Sequence, residues 1–123
     1  MMKKDKYFYW LPAVLFASFI YFISAQQDLP AASFFEFLPN ADKIAHMTEY
    51  FILSLLIYLA LTKGQALKAS TAVLLAVILA SLYGASDEFH QNFTPGRSMD
   101  ILDWGADTIG ALLAQMGLLI TDN

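Results

Sequence analysis

The sequence predicts an all-α, polytopic membrane protein: four transmembrane helices in a compact bundle, with both termini cytoplasmic. Three observations carry that reading. Hydrophobic residues make up 58% of the chain against 15% charged, the apolar residues fall into four runs of bilayer-spanning length, and basic residues gather at one end of those runs. At 123 residues the chain holds one domain, 1–123. Its mean hydropathy of +0.52 leaves too little charge to keep such a surface dissolved in water. The absence of cysteine excludes disulfides, thiolate metal ligands and a cysteine nucleophile; no nucleic-acid partner is expected, and the formal charge of -4 hides two signs segregated along the chain.

The first helix, roughly residues 7–25, is uncharged and rich in aromatics. Its basic start and Ile23-Ser24-Ala25 ending resemble a signal peptide, but the apolar stretch is longer than a usual signal core, which predicts a retained helix. The second, roughly 42–61, is apolar after two polar turns carrying His46 and Glu49. The third, roughly 68–90, is built of Ala, Leu, Val and Ile until its polar end. The fourth, roughly 99–120, holds Asp103 and Asp107 in an otherwise apolar run. About 20 residues at 1.5 Å each cross a hydrocarbon core. Lys3, Lys4 and Lys6 precede the first helix, and Lys63 and Lys68 flank the turn between the second and third. These positions fall on one side of four crossings, which predicts that side as cytoplasmic; of seven basic residues only Lys43 and Arg97 fall opposite. Tyr7, Tyr9, Trp10 and Trp104 suit interfacial anchoring, and Phe34, Phe35 and Phe37 suit a short helix lying on the membrane.

Ionisable residues concentrate at the outer end. Asp42, His46, Glu49 and Tyr50 are spaced by three, four and seven residues, so they share one face of the second helix, beside Lys43. Asp87, His90 and Gln91 form a similar set at the end of the third helix, joined by Glu88, where the helix dipole disfavours anions. Thr94-Pro95-Gly96 suits a type II turn that directs Arg97 back towards these carboxylates. Asp100, Asp103 and Asp107 line one face of the fourth helix, and Gly105, Gly110, Ala106, Ala111 and Ala114 offer close helix contact. Seven acids (Asp42, Glu49, Asp87, Glu88, Asp100, Asp103, Asp107) face two bases (Lys43, Arg97), an excess of five negative charges. Such a cluster must hold protons, recruit a cation or be solvated.

From Asp42 to Ala114 the sequence resembles the VanZ-like family of bacterial membrane proteins. The resemblance rests on Asp42-Lys43-x-x-His46-x-x-Glu49-Tyr50-Phe51, Ser86-Asp87-Glu88-Phe89-His90-Gln91, Pro95-Gly96-Arg97-Ser98, Asp100, Asp103 and Asp107-x-x-Gly110. Asp107 departs from it, since an asparagine is expected there in many members. The resemblance implies a role in the bacterial cell envelope, and with the basic residues inside, the expected place is the inner membrane with the polar site facing outward. The name-giving member is associated with low-level resistance to the glycopeptide teicoplanin, and no reaction is implied.

Four functional classes fit this pattern. In the first, the cluster binds a lipid head group, a lipid-linked envelope precursor or a lipoglycopeptide, with Lys43 and Arg97 on phosphate or carboxylate and the acids on amines or hydroxyls. In the second, it is an intramembrane hydrolase or transferase with His46, Glu49, Asp87, His90 and Asp103 as candidate catalytic groups. Histidine with carboxylate suits a general base or a divalent metal as cofactor. No metal set is established by spacing, and neither His-Glu-x-x-His nor Gly-x-Ser-x-Gly is present. In the third, it is a structural polar network tying helices together. A proton-coupled transporter is disfavoured because polar residues stop in the outer halves, with apolar residues sealing the inner ones.

Overall fold

A computed structural model describes residues 3–25, 41–96 and 99–121. These are helical almost throughout, with no strand among them. The segment 26–40, where a short membrane-surface helix is expected at Phe34, Phe35 and Phe37, lies outside the described residues, as do Arg97 and Ser98.

The first helix is not the continuous rod expected over 7–25. It forms α1 (Lys3–Phe8) and α2 (Leu11–Ser24), separated by a turn at Tyr9 and Trp10. Pro12 is the cause: it lacks the N–H that would bond the Phe8 carbonyl, and its ring would collide with that carbonyl. The chain closes a turn through Trp10 N–H to Tyr7 O at 3.0 Å and restarts through Val14 N–H to Trp10 O at 2.9 Å. Proline is tolerated in the first turn of α2 because no intrahelical bond is lost there.

Helix α3 (Ala41–Leu59) continues into a π-helical turn over Ala60–Gly64, closed by Gln65 N–H to Ala60 O at 3.1 Å. The rod therefore runs past the expected end at 61. Its last residue, Gly64, receives the carbonyl of Lys6, and a Cβ there would stand 2.6 Å from that oxygen. Helices α4 (Ala69–Gln91) and α5 (Ile101–Thr121) match the expected third and fourth to within two residues at each end. Gly96 has φ of 82°, the conformation that the second central position of a type II turn requires.

Among the described residues three helical stretches, Lys6–Ser24, Asp42–Gly64 and Ala69–Gln91, are long and apolar enough to cross a bilayer. Helix α5 is as long, but Asp103, Asp107 and Gln115 dilute its apolarity, and it buries all three inside the bundle. Helices α3, α4 and α5 form the tight centre, with α3 against α5 the most extensive contact. Helix α2 lies at the edge, touching α3 and α4.

Side-chain size is inverted relative to a water-soluble core. Helix α4 buries Ala72, Ala76, Ala80, Gly84 and Glu88 at four-residue steps, while Leu74, Ile78 and Leu82 point outward. Helix α5 buries Asp103, Ala106, Asp107, Gly110, Ala111, Ala114 and Gln115 and exposes Ile101, Leu102, Ile109 and Ile120. Large apolar groups face outward because lipid solvates them as well as protein does, so small residues are left to bring backbones together. Tyr50, Leu53 and Ile57 of α3 and Ile20 of α2 fill what remains.

Gly110 marks the closest approach: a Cβ there would collide with the backbone of Met47, whereas a Cβ at Gly105 would meet nothing within 4 Å. The expectation of close contact therefore holds at Gly110 and fails at Gly105, which lies off the buried face. Gly110→Ala is expected to lower unfolding stability in detergent by about 1–3 kcal/mol through overpacking. Gly105→Ala, measured by the same thermal melt, is expected to be neutral or to stabilise by up to about 1 kcal/mol through helix propensity.

Candidate functional site

Where α3 begins, α4 ends and α5 begins, the three helices turn ionisable side chains towards one another. Asp107 of α5 is wholly buried. It reaches this position because α4 presents Gly84 opposite it; a Cβ at 84 would stand 2.8 Å from Asp107 Oδ2 and 3.1 Å from its Cβ. Asp107 Oδ1 lies 2.7 Å from Nδ1 of His46 on α3. Glu88 of α4, 2% exposed, places Oε1 3.9 Å from the same Nδ1. On the other edge of the imidazole, Asp103 Oδ2 lies 3.8 Å from Nε2.

Lys43 closes the mouth. Its Nζ lies 2.6 Å from Asp103, 2.9 Å from Asp42 and 3.0 Å from Asp100. Asp100 also organises the start of α5: its Oδ1 accepts Leu102 N–H at 2.9 Å, and its own N–H donates to Glu88 Oε2 at 3.1 Å. That bond fixes the Glu88 carboxyl and leaves Oε1 facing His46, buried and without a hydrogen-bond partner. Asp87 accepts from Tyr50, itself fully buried, at 3.1 Å through Oδ2, while its Oδ1 is also without a partner.

Most of the residues expected from spacing meet here. Lys43, His46, Glu88, Asp100, Asp103 and Asp107 form one connected group, and Tyr50 with Asp87 a second. Asp42 stays at the rim, its side chain 62% exposed. Glu49 is half-buried on the flank of the same helix, and Gln91 is buried. His90 lies elsewhere: its ring stacks 4.2 Å, centroid to centroid, from Tyr21 of α2. The cause is helix geometry, since residues two apart differ by about 200° around the axis, so His90 points away from Glu88. The paired histidines anticipated for a metal or a base are therefore one histidine, His46.

Two features were missed from spacing alone. Ser54 and Gln115 form a buried pair, with Gln115 Nε2 donating to Ser54 Oγ at 2.6 Å and to its carbonyl at 3.1 Å, and Ser54 Oγ donating to Ala111 O at 3.2 Å. Both residues lie two helical turns below His46 and Asp107, about 12 Å deeper. Polar groups thus continue inward, which corrects the expectation that the inner halves are sealed by apolar residues alone. Gly84 was the other omission. Its signal was the four-residue rhythm Ala72, Ala76, Ala80, Gly84, which marks a face for close contact. Trp104, expected as an interfacial anchor, also donates Nε1–H to Ser81 O at 2.9 Å and so ties α5 to α4.

These features define a small helical multi-pass membrane protein that turns its ionisable residues into one end of its bundle. The chain belongs to the VanZ/LLP1 family, whose sequence profile matches residues 3–121. No curated protein and no solved structure matches it.

Lys43 meets three carboxylates while only partly exposed, so Lys43→Gln is expected to lower stability by about 1–3 kcal/mol, between the surface and buried limits for ion pairs. Asp42→Asn, which removes its most exposed partner, is expected to change stability by less than about 1 kcal/mol. Thermal melts of both purified variants provide the comparison.

Proposed function

We propose that this chain is a VanZ-like integral protein of the bacterial inner membrane that modulates susceptibility to glycopeptides such as teicoplanin. In this reading an outward-facing acidic site binds a lipid head group, an envelope precursor or the lipoglycopeptide itself. One observation carries it. Asp87, Glu88, Asp103 and Asp107 are all buried in an apolar bundle, and the basic groups that meet them among the described residues are Lys43 and His46. Buried carboxylates in excess of their partners are costly in a membrane and mark a site that a ligand completes. Amines or sugar hydroxyls would satisfy the unpartnered oxygens of Asp87 and Glu88.

The His46–Asp107 contact favours a second reading, an intramembrane hydrolase or transferase with His46 as general base on a lipid-linked substrate. Its Nε2 edge faces the mouth of the site, on the side of Asp103 and Lys43.

Four crossings with both termini inside would place the site outside the cell. Because the chain has no cysteine, single cysteines report topology without background. Asn92→Cys is expected to react with an impermeant maleimide on intact cells, and Lys63→Cys only after permeabilisation; the reverse pattern would place the site in the cytoplasm.

Function is tested by teicoplanin survival of a sensitive bacterium expressing wild type or Asp87→Asn at matched membrane abundance. Wild type is expected to protect and the variant, which keeps the shape of Asp87 but not its charge, to lose that protection. Equal protection by both would exclude a need for the Asp87 charge.

A further inference from the structure

We infer that His46 Nδ1 and one oxygen each of Glu88 and Asp107 form a site for a divalent transition-metal ion of the zinc class. The three donor atoms come from three different helices and all lie within 4.8 Å of one another. Donors on one zinc ion, with bonds of about 2.1 Å at tetrahedral angles, stand about 3.4 Å apart. Two of the separations, 2.7 Å from Nδ1 to Asp107 Oδ1 and 3.9 Å from Nδ1 to Glu88 Oε1, bracket that value.

Two independent observations point to a ligand at this place. Glu88 Oε1 is buried without a hydrogen-bond partner and faces the imidazole, while the other oxygen of the same carboxyl is pinned by Asp100 N–H. In addition, Asp107 Oδ2 is buried without a hydrogen-bond partner, while the far ring nitrogen, Nε2, lies 3.8 Å from Asp103 Oδ2, beyond hydrogen-bond reach. A histidine that binds metal through one nitrogen characteristically gives the N–H of the other to a carboxylate, which fixes ring and tautomer. Here the ring's hydrogen bond is at Nδ1, to Asp107 Oδ1 at 2.7 Å, so a metal at Nδ1 replaces that contact and Asp103 must close on Nε2 from 3.8 Å to complete the arrangement.

Charge and donor type select the ion. Glu88 and Asp107 carry two negative charges that a divalent ion neutralises inside the bundle, removing the penalty of burying them. One imidazole with two carboxylates suits zinc or manganese better than calcium, which takes six to eight oxygens. Three protein ligands leave a fourth position for an oxygen from outside, as in open rather than closed zinc sites.

The site goes beyond the proposed binding role: with a metal on Glu88 Oε1, the contact to an amine or hydroxyl falls to Asp87 Oδ1. Its test contains no envelope component, so either can fail alone. Full-length protein without a histidine tag is stripped with chelator in detergent and titrated with Co2+, followed by Zn2+ competition against a chromogenic indicator. Wild type is expected to take up one equivalent of Co2+ with the strong visible bands of a low-coordinate site, and Zn2+ is expected to displace it. His46→Gln is expected to abolish binding, and Glu88→Gln to weaken it by about tenfold or more. Zn2+ is expected to raise the melting temperature of wild type and not of His46→Gln. The inference is overturned if folded wild type takes up no Co2+ in excess, or if His46→Gln binds as well as wild type. Should His46→Gln fail to fold, Asp107→Asn and Glu88→Gln carry the comparison, and unchanged affinity in both overturns it.

Discussion

The complete burial of Asp107 is the constraint on which this bundle depends. A carboxylate in the middle of an apolar assembly is costly unless partnered; α3 partners Oδ1, while Oδ2, beside α4, is buried without a hydrogen-bond partner. Helix α3 brings His46 to it, and α4 comes close enough only because Gly84 has no side chain there. Three residues below, Gly110 lets α5 press against the Met47 backbone, one residue beyond His46. The same close approach thus sets the helix packing and assembles the polar site. Neither can be altered without the other.

Much of this was legible in the sequence, for reasons that differ by element. The apolar runs were clear because a membrane imposes a length on every helix that crosses it, and α4 and α5 fall where hydropathy places them. The break at Tyr9 and Trp10 was equally present, in Pro12, but an apolar run looks continuous to a hydropathy reading while a backbone lacking one N–H is not. Helical spacing put Asp103 and Asp107 on one face and His46 on another helix's polar face, and their common level at one end of the spans brought the sets together. The partner on α4 did not, because three- and four-residue steps group Asp87 with His90 and Gln91, while the contact is made by Glu88. Spacing gives the relative angle of side chains on one helix, and only packing selects which angle faces a neighbour.

Polar residues in this bundle act at two depths. At the site end, Lys43 gathers carboxylates from α3 and α5 into one network. Two turns deeper, Ser54 and Gln115 join the same two helices through uncharged hydrogen bonds. Between the levels the interface is made by Gly110, Ala111 and Ala114, whose side chains contribute only proximity. Lipid gives no hydrophobic reason for these helices to associate, so the polar pairs set register and the small residues supply contact.

The inversion of side-chain size also changes what counts as a conservative substitution. In a water-soluble domain, trimming leucines is harmful and enlarging an alanine at the surface is harmless. Here Leu74, Leu82 and Ile120 border lipid, where a shorter chain leaves no cavity, whereas Ala72, Ala76, Ala80 and Ala111 have no accessible surface into which to grow. Sequence drift in this chain is therefore free to exchange its largest residues and confined at its smallest. A tolerance map of the molecule would resemble the photographic negative of one drawn for a globular protein.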